Sequence, residues 1–128
     1  MDYYFSKTIS DNFDNAVLKV TEALKAEGFG ILTEIDIKAT LKKKLDVDFY
    51  NYKILGACNP PFAYKALLAE DKIGTMLPCN VIIQEKVQGQ VEVSAVDPVA
   101  SMLAIENKDL HSIAFELRFK LQKVIGQL

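Results

Sequence analysis

Histidine occurs once in this chain, at position 111, and cysteine twice, at 58 and 79. A histidine-rich metal centre is thereby excluded, since a site at His111 would need Cys or carboxylate partners brought in from distant segments. The two cysteines stand too far apart for a C-x-x-C redox or zinc half-site. Charge of one sign is also scarce: 15 Lys and Arg stand against 17 Asp and Glu, a net charge of −2. No sequence-wide attraction to nucleic acid or anionic lipid follows from that balance. The longest basic cluster, Lys42-Lys43-Lys44, reads as a solvated helix face.

No apolar run approaches the ~18 residues of a membrane span. Met1-Asp2-Tyr3-Tyr4-Phe5-Ser6 lacks the charged leader and long apolar core of a signal peptide. The expected setting is therefore a reducing cytoplasm, where two cysteines form no lasting disulfide. The sequence also contains no G-x-G-x-x-G, P-loop, G-x-S-x-G or H-E-x-x-H pattern. Repeats, low-complexity tracts and linkers are missing too, so residues 1–128 are expected to form a single domain. Half of the 128 residues are hydrophobic and a quarter charged, enough for a real core.

The pattern along the chain predicts the elements. Residues 2–9 alternate as a half-buried strand, with Tyr3, Phe5 and Ile9 on one side. Ser10-Asp11-Asn12 offers capping oxygens to a helix whose stripe is Phe13, Ala16, Val17, Val20 and Leu24. Gly28 ends that helix as a left-handed cap. Phe29–Ile35 is the second strand, and Asp36 caps a short helix over 37–44. Phe49–Ala57 is the third strand. Pro60 and Pro61 suit the first turn of the next helix, 62–70, because proline there sacrifices no intrahelical bond.

Strands four and five are predicted at 81–87 and 91–96. A three-residue loop, Gln88-Gly89-Gln90, keeps their apolar faces together, pairing Val87 with Val91 and Lys86 with Glu92. Asp97-Pro98 starts a short helical turn. Asn107 then caps a closing helix with a core stripe of Leu110, Ile113, Ala114, Leu117, Leu121 and Val124. The expected class is α+β, with an antiparallel five-stranded sheet and two long helices packed on one face.

The chain is organised around two segments, Ile54-Leu55-Gly56-Ala57-Cys58-Asn59-Pro60-Pro61 and Met76-Leu77-Pro78-Cys79-Asn80-Val81. Together with Gly28-Phe29-Gly30-Ile31-Leu32-Thr33-Glu34-Ile35-Asp36 and Asp97-Pro98, they make the chain resemble domain-of-unknown-function family 302 over most of its length. The resemblance implies a compact α+β domain of β-α-β4-α order, similar to the TATA-box-binding-protein fold. It implies no DNA binding, because fold does not carry function.

Each Cys-Asn pair falls where an apolar strand meets a turn. If strands three and four are antiparallel neighbours, Cys58 leaves the sheet where Cys79 enters it. Cys58 would also precede a helix N-terminus, whose dipole and free amides favour thiolate. Inert packing of both cysteines remains the leading reading of those residues, ahead of a thiol or redox role and of metal binding by the same pair. Asn59 and Asn80 could point donors at a ligand or serve as caps and turns. Glu34 and Asp36 share a strand face, yet read better as a solvated residue and a helix cap.

Phe115 and Phe119 lie opposite the core stripe of the last helix, an i, i+4 apolar patch expected at a homodimer interface that Tyr50 and Tyr52 could join. The reading leans toward binding rather than catalysis. It expects a dimeric module holding a small ligand or partner near Cys58, Asn59, Cys79 and Asn80, with no cofactor. The alternatives are a thiol enzyme using Cys58 with Cys79 as resolving partner, and a purely structural dimer.

Overall fold

In a computed structural model describing residues 2–128, the chain runs β1 (Tyr4–Ser10), α1 (Phe13–Ala26), β2 (Gly30–Asp36), α2 (Ile37–Leu45) and β3 (Asn51–Cys58). It continues through α3 (Pro60–Ala69), a 3-10 turn (Asp71–Met76), β4 (Cys79–Val87), β5 (Gln90–Val96), α4 (Pro98–Ser101) and α5 (Lys108–Gly126). The five strands form one sheet in the order β1-β5-β4-β3-β2, with every neighbouring pair antiparallel.

Period-two alternation decides which side of this sheet is dry. Leu55 and Ala57 of β3, Val81 and Ile83 of β4, and Val91, Val93 and Ala95 of β5 are all buried on one face. Against them lie Phe13, Ala16, Val20 and Leu24 of α1 and Leu117, Leu121, Val124 and Ile125 of α5. Each such fully buried aliphatic side chain contributes roughly 1.5–3 kcal/mol. Among the described residues, both long helices, α1 and α5, pack on this one face. A second, smaller core joins Ala66 of α3, Ile73, Met102, and Leu110 and Ala114 of α5.

The caps explain the boundaries. Asn12 Oδ1 accepts from the Asn15 amide at 2.8 Å and Asp36 Oδ1 from Ala39 at 2.9 Å. Asn107 Oδ1 accepts from Leu110 at 3.1 Å, while its Nδ2 donates to the Ala69 carbonyl at 2.7 Å and ties α5 to the end of α3. Gly28 follows α1 with a φ of +85°, a region glycine enters without strain.

The hairpin register differs from the expected one. Val87 pairs with Gln90, so only Gln88 and Gly89 form the loop. Farther in, Gln84 pairs with Glu92 and Ile83 with Val93, so Lys86 is not opposite Glu92. An irregularity between Gln84 and Val87 supplies the extra residue that a two-residue loop needs to keep the apolar side chains on one face. Glu85 fixes this tip, accepting from the Gly89 amide at 3.0 Å and from Asn51 Nδ2 at 2.9 Å. Residues Asp71–Met76 form the 3-10 turn, which carries Ile73 into the second core.

Candidate functional site

The β3–β4 pairing sets Ala57 opposite Cys79 and Gly56 opposite Asn80. Cys58 therefore leaves the sheet at the end where Cys79 enters it. α3 starts two residues beyond Cys58, with Pro60 and Pro61 in its first turn. Between this end of the sheet and α3 lies a cleft of about 320 Å3, open on one side. Cys58, Asn59 and Cys79 all line it.

The rest of the wall is apolar. Ala57, Pro78 and Phe29 form the sheet side, Ala63, Ala66 and Leu67 come from α3, and Leu77, Met102 and Leu117 close the back. Leu32 on β2 and Leu67 stand at the wall with 66% and 45% of their surface in solvent, unusual for leucines beside a cavity. Sequence reasoning missed these residues. The signal available was α3 itself, whose Tyr64, Leu67 and Leu68 are apolar and exposed while only Ala66 is buried.

Asn59 precedes α3 but does not cap it. The residue is 93% buried, and its side chain donates Nδ2 to the Glu27 carbonyl, just past the end of α1, at 3.1 Å. The close packing of Asn59 on Gly28 leaves only 3.2 Å between Nδ2 and any Cβ added there. Asn59 thus locks the α1–β2 corner to the cleft wall. Asn80 goes elsewhere: as the next residue after Cys79 in β4 it points to the opposite, open face of the sheet. The residues predicted as one site are split, three on the cleft and one behind it.

Both cysteines are free. Burial pushes the Cys79 thiol up to about 11, with a smaller contribution from Cys58. A thiol so raised stays protonated near neutrality and makes a poor nucleophile or metal ligand. Among the described residues, no group of three or more His, Cys, Asp or Glu side chains is arranged to hold a metal ion. Chemically, the cleft offers apolar contact, two polarisable sulfurs and one fixed amide.

Glu34 forms an ion pair with Lys53 at 2.7 Å, and Asp36 is the α2 cap. Asp97 is buried, accepts from the Val99 amide at 3.0 Å to start α4, and lies 3.5 Å from Arg118 Nε. His111 bonds the Ile105 carbonyl through Nε2. Phe115 and Phe119 are exposed on α5, bordered by Glu27, Glu116, Lys120 and Lys123. Tyr50 and Tyr52 do not join them. They lie on the open sheet face, where the Tyr50 hydroxyl accepts from Gln84 at 3.4 Å.

Residues 5–128 match the family described as "Domain of unknown function DUF302". The chain belongs to the DUF302 family. A solved structure, described as the crystal structure of an uncharacterised conserved DUF302 protein from Bacillus stearothermophilus, superposes with a TM-score of 0.91 at 23% sequence identity. The alignment covers 99% of this chain and 98% of that one, so the two share the fold. No protein with a curated description matches the chain. No helix among the described residues of this DUF302 chain is long and apolar enough to cross a membrane.

Proposed function

We propose that this DUF302 protein is a homodimeric binding module that holds a small apolar molecule in the cleft between α3 and the Cys58/Cys79 end of the sheet. The observation that carries this reading is the wall itself: a cleft of about 320 Å3 lined almost wholly by apolar side chains, with Leu32 and Leu67 left in water beside it. That volume matches the lower end of small-molecule sites. At ~30 Å3 per water it equals about ten waters, the room of a small ring or a short hydrocarbon.

Water in such a space finds few hydrogen-bonding partners, and an apolar occupant releases it while covering both leucines. Among the side chains lining the cleft, the buried Asn59 amide and the two thiols are the polar points from which orientation can be set. The two free thiols suit a reducing compartment such as the cytoplasm. The dimer is supported by Phe115 and Phe119, whose border carries both signs of charge. A two-fold axis can set Glu27 and Glu116 of one copy against Lys120 and Lys123 of the other.

The test is a thermal-shift series with toluene, indole and 1-octanol on the native chain and on Ala63→Leu, which narrows the cleft. At a ligand concentration of about 100 Kd, binding adds roughly 2.7 kcal/mol of stability. At least one probe is expected to raise Tm in the native protein and to lose that effect in Ala63→Leu. Equal shifts in both proteins, or none in either, would count against the cleft.

A further inference from the structure

Four of the chain's five tyrosines, scattered in sequence at positions 3, 4, 50 and 52, meet on the sheet face away from the long helices. Burial is not the reason. The core takes phenylalanine instead, as at Phe13 and Phe29. Tyr3 and Tyr4 contact each other edge-on at 5.0 Å at the β1 end, and Tyr50 packs with Tyr52 and Phe49 at the β3 end.

Between these clusters runs a groove of about 510 Å3. The Tyr52 phenol is held above its ordinary value by burial, then by Tyr50 and Tyr3. Tyr3 and Tyr52 both line the groove, and a phenol so raised remains a hydroxyl donor at neutral pH.

The floor is made for hydrogen bonding. Asn80 presents an exposed amide, Gln84 an amide whose Nε2 donates to the Tyr50 hydroxyl at 3.4 Å, and the largely buried Ser94 a hydroxyl 3.0 Å from Ser6 Oγ, with Ile82 among them. The charge of the lining cancels, with one cation, Lys86, and one anion, Glu92. A nucleic-acid strand needs a basic groove along its phosphates, which a single lysine does not supply. A permanent sheet-to-sheet dimer needs a broad apolar centre, and here Ile82 is surrounded by Asn80, Gln84 and Ser94.

Phenol rings that offer apolar area with a polar tip, set over paired donors and acceptors, fit an uncharged polyhydroxylated ring. We infer that this groove is a binding site for a neutral saccharide of about disaccharide size. Ring C–H faces lie on the tyrosines and hydroxyls pair with Asn80, Gln84 and Ser94. The site lies on the other side of the sheet from the apolar cleft and does not depend on it.

The chain has no tryptophan, so its near-ultraviolet emission is tyrosine emission, and three of its five emitters, Tyr3, Tyr4 and Tyr52, line this groove. The experiment titrates the full chain with maltose, cellobiose and N,N′-diacetylchitobiose, following tyrosine fluorescence and backbone amide shifts. At least one sugar is expected to bind saturably with a Kd of about 1 mM or tighter, shifting Asn80, Gln84 and Ser94. Tyr52→Ala and Asn80→Ala are expected to weaken that binding tenfold or more, while Ala63→Leu leaves it unchanged. Asn80 is exposed, so its variant reads binding even where Tyr52→Ala fails to fold. No saturable response to any of the three at about 10 mM, where a 1 mM site would be ~90% filled, overturns the inference. So does a response to a short oligothymidylate, or dimerisation through this face, in the absence of any sugar response.

Discussion

Gly56 shows how tightly the Cys58 end of the sheet is built. A Cβ there would meet Thr33 Oγ1 and lie 2.7 Å from Pro78 Cγ, the residue before Cys79. A threonine side chain can rotate away, but a proline ring cannot. Gly56→Ala is therefore expected to destabilise the fold by about 1–3 kcal/mol, read as a lower urea midpoint at unchanged slope. A loss below about 0.5 kcal/mol would show that the contact is relieved cheaply.

Cys79 gives a second residue-level test. Its folded thiol titrates at about 11 against an ordinary value of 9.0. A raised folded pKa stabilises through the protonated form, so its contribution is complete below pH ~9 and is lost as pH climbs toward 11. Alkaline unfolding curves should fall across that window and flatten there in Cys79→Ala. In native protein at pH 7.5, iodoacetamide should spare Cys79 until denaturant is added. Rapid native alkylation at that position would contradict its burial.

At the level of elements, the hairpin tip is the informative place. Glu85 is held below the ordinary carboxylate range, first by the Gly89 amide and then by Asn51. A depressed pKa stabilises through the charged form, present above the unfolded value near 4.5 and lost as pH falls through the folded one. The Gly89 amide should lose protection from hydrogen exchange on acidification in the native protein. Glu85→Gln should show weaker protection with no such pH step. An identical pH profile in both proteins would remove Glu85 as the clamp.

The same hairpin marks what the sequence could and could not reveal. Alternation of Val81, Ile83, Val91, Val93 and Ala95 was enough to place both strands and their buried face. It could not reveal the irregularity between Gln84 and Val87, which turns Val87 to the face of Gln90 although its position in the sequence keeps step with Val81 and Ile83. Caps were legible at Asn12, Asp36 and Asn107, where a side-chain oxygen stands three residues before the amide it accepts from. Asn59 was not: local sequence offered a cap, but the carbonyl at Glu27, reached only through tertiary packing, took its amide. Neighbours in sequence are opposites in a strand, which is why Asn80 parts from Cys79.

For the whole molecule, two consequences follow from leaving apolar surface in water. Phe115 and Phe119 are 56% and 68% exposed on one helix face. The native chain should sediment as a dimer, and the combined Phe115→Glu, Phe119→Glu variant as a monomer with an unchanged circular dichroism spectrum. An unaltered sedimentation coefficient in the double variant would clear these rings of the interface.

The cleft is the other consequence, and most of the functional account rests on it. It can be probed directly by methyl-resolved NMR of the native protein titrated with toluene. The account predicts saturable shifts at the methyl groups of Leu67, Leu77, Leu117 and Ala57, with Val91 and Val93 in the opposite part of the core unmoved. Shifts confined to the surface around Phe115 and Phe119, or no saturable shift at the cleft methyls, would contradict it.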